Sequence, residues 1–174
     1  VNSPTVSVSG LMSVCAGQST TLTAAGAINY SWNTGSNSSS ITATPSANTN
    51  YTVTGIDAQG CIDTETLTVV FNSLPSVSSV SSNSLLCVGQ TATLTATGAN
   101  TYTWSTTENT TSIAVSPTIQ TTYTVIGTDA NGCSNSSIVT QSVSLCTGIT
   151  QLVNESLVSV FPNPFNDVIT IRNS

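Results

Sequence analysis

Basic side chains are almost missing from this chain of 174 residues. It contains no His and no Lys, Arg172 is its one basic side chain, and seven acidic residues leave a formal net charge of −6. Binding to a phosphate backbone or an anionic bilayer depends on Lys and Arg. The composition therefore excludes nucleic acid and anionic membranes as partners. The same absence removes the usual general bases and the Schiff-base amine, which argues against an enzyme.

Metal ligands and long apolar runs are also scarce. Without imidazole, and without a Cys-x-x-Cys pair, the chain lacks the donors of the common zinc sites. We expect no metal and no cofactor. No apolar stretch approaches the roughly 20 residues of a membrane-spanning helix, and Val1 does not open a signal peptide. We expect no membrane insertion and interpret the chain as a mature or trimmed piece of a secreted protein.

The chain does contain an internal repeat of 72 positions. The segments Cys15-Ala16-Gly17-Gln18 and Cys87-Val88-Gly89-Gln90 are that far apart (87 − 15), and Cys61 and Cys133 repeat the step (133 − 61). The same register aligns Leu22 with Leu94, Trp32 with Trp104, Ile41 with Ile113, Tyr51 with Tyr123 and Val53 with Val125. A tandem duplication indicates two copies of one small domain. We predict domains over residues 1–72 and 73–145, followed by a tail over 146–174, and repetition favours a spacer, stalk or fibre over an enzyme.

Alternation of apolar and polar residues predicts an all-β fold. Six strand-like runs occupy residues 5–9, 20–24, 29–33, 40–44, 50–55 and 62–71 of the first copy, separated by Gly and Asn clusters. Six or seven short strands in about 70 residues predict an antiparallel immunoglobulin-like β-sandwich. The alternation assigns to the two cores Leu22, Trp32, Ile41, Tyr51, Val53, Leu94, Trp104, Ile113, Tyr123 and Val125.

The cysteines predict one disulfide in each sandwich. Cys15–Cys61 and Cys87–Cys133 would each close a loop of 46 residues (61 − 15 and 133 − 87), a constraint that the chain-entropy model values at about 4 kcal/mol. Such pairs are typical of an oxidising, extracellular compartment. The alternative is two buried free thiols in each domain. Cys146 is the odd cysteine, which indicates either an intermolecular bond or a free thiol.

Three further residue patterns allow a structural and a functional interpretation. A Trp in the third strand of each copy favours a core position over an exposed platform for sugar stacking. Asp57 and Asp129 precede turns, where a single carboxylate commonly bonds its own backbone amides; calcium, which needs six or more oxygens, is the alternative. Asp63 and Glu65 share a strand face like a glycosidase pair, but the second copy has other residues there.

The repeated pattern is similar to a known family. The string Cys-x-Gly-Gln, Leu-Thr-Ala, Tyr-x-Trp and Tyr-Thr-Val-x-Gly-x-Asp-Ala-x-Gly-Cys resembles the immunoglobulin-like/PKD-like repeats of Bacteroidetes secreted surface proteins. It covers residues 1–145. The resemblance implies adhesins, gliding-associated surface proteins and multidomain extracellular proteins in which such repeats act as spacers. It carries over no catalytic residues.

The tail carries a second resemblance. Residues 157–172 are similar to the opening of the type IX secretion C-terminal sorting domain, which implies secretion through the outer membrane. The residues concerned are Phe161, Pro162, Asn163, Pro164, Phe165, Val168, Ile169 and Ile171. The later strands of that domain are missing from this sequence, and unpaired strands expose hydrogen-bonding edges. Two interpretations stay open: the tail packs against the second domain, or it adds a strand to a neighbouring copy in a head-to-tail filament.

Together these patterns predict an extracellular structural protein, a segment of a bacterial surface filament or stalk. Its expected partners are copies of itself or other cell-surface proteins. The alternative is an adhesin or carbohydrate-binding module with a glycan as its ligand.

Overall fold

The computed structural model describes residues 4–146, which form fourteen β-strands and no helix. In the first repeat, β1 to β7 are Ser7–Ser9, Ser13–Cys15, Thr20–Ala25, Asn29–Trp32, Ser40–Ala43, Thr49–Ile56 and Ile62–Asn72. In the second, β8 to β14 are Ser78–Ser81, Leu85–Cys87, Ala92–Thr97, Thr101–Trp104, Ser112–Val115, Thr121–Thr128 and Ser134–Ser144. From β2 onwards, each strand of the first repeat recurs 72 residues later with the same length.

Each repeat is a sandwich of two sheets. In the first, the three-stranded sheet has the order β1-β3-β5 and the four-stranded sheet has the order β2-β7-β6-β4. The second repeat has the corresponding orders β8-β10-β12 and β9-β14-β13-β11. This division of strands is that of an immunoglobulin-type sandwich, so the all-β sandwich prediction is confirmed. The chain divides after Ser144 into two compact units, so both sandwiches belong to one unit.

Two short strands depart from the antiparallel pattern. β2 lies parallel to the end of β7, with Cys15 opposite Asn72, and β9 lies parallel to the end of β14, with Cys87 opposite Ser144. With three residues each, these strands are too short to display an alternation of apolar and polar residues, and the sequence did not predict them. They determine where the first cysteine of each repeat lies.

The two sandwiches have separate cores. Burial follows the strand alternation, as in β3, whose residues are alternately buried and exposed. All ten side chains that the sequence assigned to the cores are buried. The two Trp side chains also have a polar partner, since the Nε1 of Trp32 donates to the Ser38 carbonyl and that of Trp104 to the Thr110 carbonyl, both at 2.9 Å.

One glycine in each sandwich fixes the chain that leads into the first strand. Gly26 and Gly98 have φ angles of +97° and +92°, and a Cβ at either would overlap a backbone carbonyl oxygen, that of Thr5 or Ser76. Only glycine combines this conformation with this close approach. The aligned glycines therefore allow the leading segment of each sandwich to lie close to the end of β3 or β10.

Candidate functional site

The second cysteine of each repeat lies in a tight hairpin turn, which we call the Asp–Cys turn (residues 57–61 and 129–133). Gly60 and Gly132 adopt φ angles of +81°, as in three-residue hairpin loops that end in a left-handed glycine. The Asp57 Oδ1 accepts from the amides of Gln59 at 2.9 Å and Cys61 at 2.8 Å. The predicted bonding of the carboxylate to its own backbone is thus confirmed.

The second Asp–Cys turn repeats these contacts. The Asp129 Oδ1 accepts from the amides of Asn131 and Cys133, both at 2.9 Å. The aspartates are therefore occupied in holding the cysteine backbone. Within residues 4–146, no group of three or more His, Cys, Asp or Glu side chains is placed to hold a metal ion.

The first cysteine of each repeat ends a short strand and begins a second turn, the Cys-x-Gly-Gln turn (residues 15–18 and 87–90). The Gln18 amide donates to the Cys15 carbonyl at 2.9 Å, and Gln90 does the same to Cys87. Glycine at the third position has φ of +81° in the first turn and +90° in the second, which is typical of a type II turn. The motif thus reverses the chain directly after the cysteine.

The predicted pairing Cys15–Cys61 and Cys87–Cys133 is wrong, because the two cysteines of a repeat lie at opposite ends of one strand. Cys61 precedes the first residue of β7, whereas Cys15 is opposite the last, Asn72. Eleven residues of extended chain (72 − 61) span about 35 Å. A disulfide requires the two Cα atoms within about 7 Å. The same strand pairing separates Cys87 from Cys133.

Instead, the disulfides pair cysteines in a different order. Cys15 is bonded to Cys133, with a Cα–Cα distance of 5.6 Å and a sequence separation of 118. Cys87 and Cys146 form the second disulfide, so the prediction of Cys146 as the odd cysteine is also wrong. The cysteine without a disulfide is Cys61.

The Cys15–Cys133 bond crosses from one repeat to the next. It joins the Cys-x-Gly-Gln turn of the first sandwich to the Asp–Cys turn of the second. Cys133 is fully buried there, whereas Cys61, in the same position of the first repeat, is partly exposed. The repeated 72-residue spacing marked these cysteines but could not show which repeat each partner belongs to.

Three exposed isoleucines lie at the strand ends next to the Asp–Cys turn that contains Cys61. Ile56 and Ile62, directly opposite each other in the β6–β7 ladder, flank the Asp–Cys turn, and the Ile28 amide donates to the Ile56 carbonyl at 3.0 Å. All three isoleucine side chains are exposed. The corresponding residues of the second repeat are polar: Asn100, Thr128 and Ser134. We call the first-repeat set the isoleucine cluster.

Asp63, one member of the candidate carboxylate pair, has a structural role. The Asp63 carboxylate accepts from the Val6 amide at 2.8 Å and the Thr64 amide at 2.9 Å. Its counterpart Asn135 donates through Nδ2 to the Pro75 carbonyl at 3.0 Å. Asp and Asn at this position both tie the leading segment of their sandwich to its last strand, which needs no acid–base chemistry.

The aromatic side chains are not arranged for sugar stacking. Trp32 and Trp104 are 3% and 2% exposed, respectively. Among residues 4–146, no aromatic side chain is exposed: Tyr30 and Phe71 are half-buried and the others are buried. The alternative of an exposed tryptophan platform is therefore wrong.

The predicted tail residues, from Phe161 to Ile171, lie outside the described residues. Across the described part of the chain, no helix has the length and apolar character needed to cross a membrane. Disulfides persist in oxidising compartments, which indicates an extracellular or cell-surface protein.

No protein family and no curated protein matches this sequence. Solved structures that are distantly similar to it include the following two. One, described as "Structural insight into host cell surface retention of a 1.5-MDa bacterial ice-binding adhesin", is 13% identical, with a TM-score of 0.36 over 82% of this chain and 65% of the other. The second is the SGBP-B of a Bacteroides ovatus mixed-linkage glucan utilization locus in complex with a mixed-linkage heptasaccharide, 14% identical, with a TM-score of 0.22. The match covers 83% of this chain and 45% of that one. Our chain thus spans less than two thirds of either structure, and these similarities are too distant to indicate what it binds.

Proposed function

We propose that this protein is an extracellular structural spacer, a segment of a bacterial surface stalk or filament. The observation that carries the proposal is the disulfide between Cys15 and Cys133, because it joins successive repeats covalently. An enzyme or a binding module needs no such bond between repeats. A load-bearing segment benefits from it directly.

The benefit follows from the path that tension takes through the chain. Force applied beyond residues 15 and 133 passes through the disulfide and bypasses the backbone that the bond encloses. Both hydrophobic cores lie almost entirely within that enclosed segment. The strands within that segment are thereby shielded from the load, whereas β1 and β14, which lie outside it, stay in the path of the force.

The route to the surface and the mode of assembly are further parts of the proposal. Residues 157–172 resemble the opening of a type IX sorting domain, which supports export through the outer membrane of a Bacteroidetes-type cell. We assign the tail the role of adding a strand to a neighbouring copy. A chain ending at Cys146 keeps both disulfides, so its electron micrographs should show single particles where the full chain shows filaments. Unchanged filaments would exclude the tail from assembly.

Single-molecule stretching tests the spacer function. The chain is held by its two termini and stretched. The total length released on unfolding is compared between the oxidised protein and the Cys15→Ala/Cys133→Ala variant, the variant being kept under reducing conditions. The bond should withhold 118 residues, equal to about 40 nm of extended chain. Cys61→Ala is the matched control, because Cys61 has no disulfide, and it should leave the oxidised trace unchanged. An oxidised protein that releases its full contour length at low force would exclude the spacer function.

The carbohydrate-binding alternative receives less support. Sugar rings commonly stack on exposed aromatic faces, and residues 4–146 expose none. Among the described residues, the exposed apolar side chains are aliphatic or methionine. A glycan array with the intact protein gives an independent check, and specific binding would favour the alternative.

A further inference from the structure

We propose that Cys61 and the isoleucine cluster form the docking site for another sandwich of this repeat type, which binds through its Cys-x-Gly-Gln turn. The partner is identified by a junction that the chain already contains. This inference deepens the proposed stalk function, on which it rests for its biological purpose. Its experiment is independent of that function.

The second repeat supplies the template. Its Asp–Cys turn is occupied, because Cys133 is bonded to the Cys-x-Gly-Gln turn of the sandwich that precedes it. Cys61 occupies the corresponding position of the first repeat, 72 residues earlier, and has no disulfide. The chain therefore presents one filled and one open copy of the same site.

The open site is built like the filled one. In both turns the aspartate Oδ1 accepts from the cysteine amide, at 2.8 Å in the first and 2.9 Å in the second. In both, the aspartate amide donates to the cysteine carbonyl, at 3.1 Å and 2.9 Å. The left-handed glycine before the cysteine has φ of +81° in each. Cys61 is thus held in the backbone geometry in which Cys133 forms its bond.

Exposure distinguishes the two sites. Cys133 is completely buried, whereas Cys61 is partly accessible and the isoleucines beside it are exposed. The second repeat has Asn100, Thr128 and Ser134 in place of the isoleucines. Burying the directly paired side chains of Ile56 and Ile62 favours association, an apolar contribution that Thr128 and Ser134 do not make in the second repeat.

The matching donor is the Cys-x-Gly-Gln turn, of which the chain has two nearly identical copies. The amide after Cys15 donates to the Asn72 carbonyl at 2.8 Å, and the amide after Cys87 donates to the Ser144 carbonyl at 3.0 Å. Cys87 is held by its bond to Cys146. Replacing Cys146 therefore releases a donor with the local geometry of Cys15.

The coupling is an oxidation of two thiols. The Cys61 and donor thiols lose two protons and two electrons as the new S–S bond forms. A small-molecule disulfide, such as oxidised glutathione, accepts them by thiol–disulfide exchange and leaves as two thiols. An extracellular compartment supplies such an oxidant.

The experiment combines two full-length proteins in a glutathione redox buffer. The donor is Cys61→Ala/Cys146→Ala, whose free thiol is Cys87, and the acceptor is the unmodified chain, whose free thiol is Cys61. With equal amounts of the two proteins, non-reducing electrophoresis should show a covalent dimer, and mass spectrometry should show that heterodimer makes up more than the half of crosslinked material that random pairing gives. Cleavage before aspartate should yield peptide 57–62 of the acceptor linked to peptide 63–128 of the donor.

Two controls keep the outcome decisive. An acceptor with Cys61→Ala should give no heterodimer, and Ile56→Ser/Ile62→Ser should reduce its yield severalfold while the thiol remains. Retention of the Cys15–Cys133 bond, seen in the same digest, shows that the donor has folded. A Cys146→Ala chain, with both thiols free, gives a second test and should form a ladder of multimers. If folded protein gave only symmetric homodimers, or no crosslinked product, the proposed docking site would be overturned. Neither result would affect the proposed spacer function, which depends on the Cys15–Cys133 bond within a single chain.

Discussion

Removing the bond between the repeats should destabilise the protein far more than removing the remaining cysteine. The Cys15–Cys133 bond encloses a sequence separation of 118, for which the chain-entropy model gives about 5 kcal/mol. Domains of this size have a total stability of about 5–15 kcal/mol. We expect Cys15→Ala/Cys133→Ala to lower the free energy of unfolding by up to this amount. Cys61→Ala should change it by about 0.5 kcal/mol or less.

Guanidinium titration followed by tryptophan fluorescence measures these differences. Each repeat has one buried tryptophan, Trp32 or Trp104, so each transition is reported by its own fluorophore. Trp→Phe backgrounds separate the two signals. The slope of the transition should stay similar between variants if they expose similar surface on unfolding.

The opposite ranking would refute this reasoning. If each sandwich had its own disulfide, Cys61→Ala would break a loop of 46 residues and cost about 4 kcal/mol. A loss of about 4 kcal/mol in Cys61→Ala would therefore show that the bond does not cross between repeats. An unchanged double variant would show that the bond does not constrain the unfolded chain.

Three other predictions concern connectivity and local geometry. Digestion of the oxidised protein before aspartate should release peptide 57–62 without a crosslinked partner in the mass spectrum. Gly98→Ala should lower the free energy of unfolding by more than about 2 kcal/mol in the same titration, because a Cβ there overlaps a backbone carbonyl. Gly89→Ala is the control, since Gly89 has φ of +90° with open space around it, and it should cost about 1 kcal/mol. Equal losses in the two variants would contradict the overlap. Asp129→Ala should cost about 2 kcal/mol through two lost hydrogen bonds, and Asp129→Asn should recover most of that loss if the side-chain oxygen is what matters.

The repeat and the alternation of the strands were sufficient to predict the sandwiches and their cores. Trp32, Leu22 and their counterparts fall on the inward face because side chains alternate strictly along a strand. The aspartate turns were predictable for a similar reason. A carboxylate two residues before a turn amide has its hydrogen-bond partner close by in the sequence, so the contact can be predicted from a few neighbouring residues.

The disulfide pairing was not predictable by the same means. Pairing depends on which strand ends meet, and that depended on β2 and β9, whose three residues have no detectable periodicity. Once Cys15 is placed opposite Asn72, a bond within the repeat is geometrically excluded. The equal spacing of the cysteines in the two copies suggested a bond within each copy. The same spacing is equally compatible with a bond between the copies.

The order of the cysteines also determines how the protein survives a cut. Any single break of the backbone between residues 16 and 146 leaves two fragments that remain attached, because Cys15–Cys133 or Cys87–Cys146 bridges the gap. Between residues 87 and 133 both bonds bridge it. Two separate bonds, one inside each sandwich, would leave the connection between them open to severance. A protein with this topology can be cut once by a protease in that region without separating into two pieces.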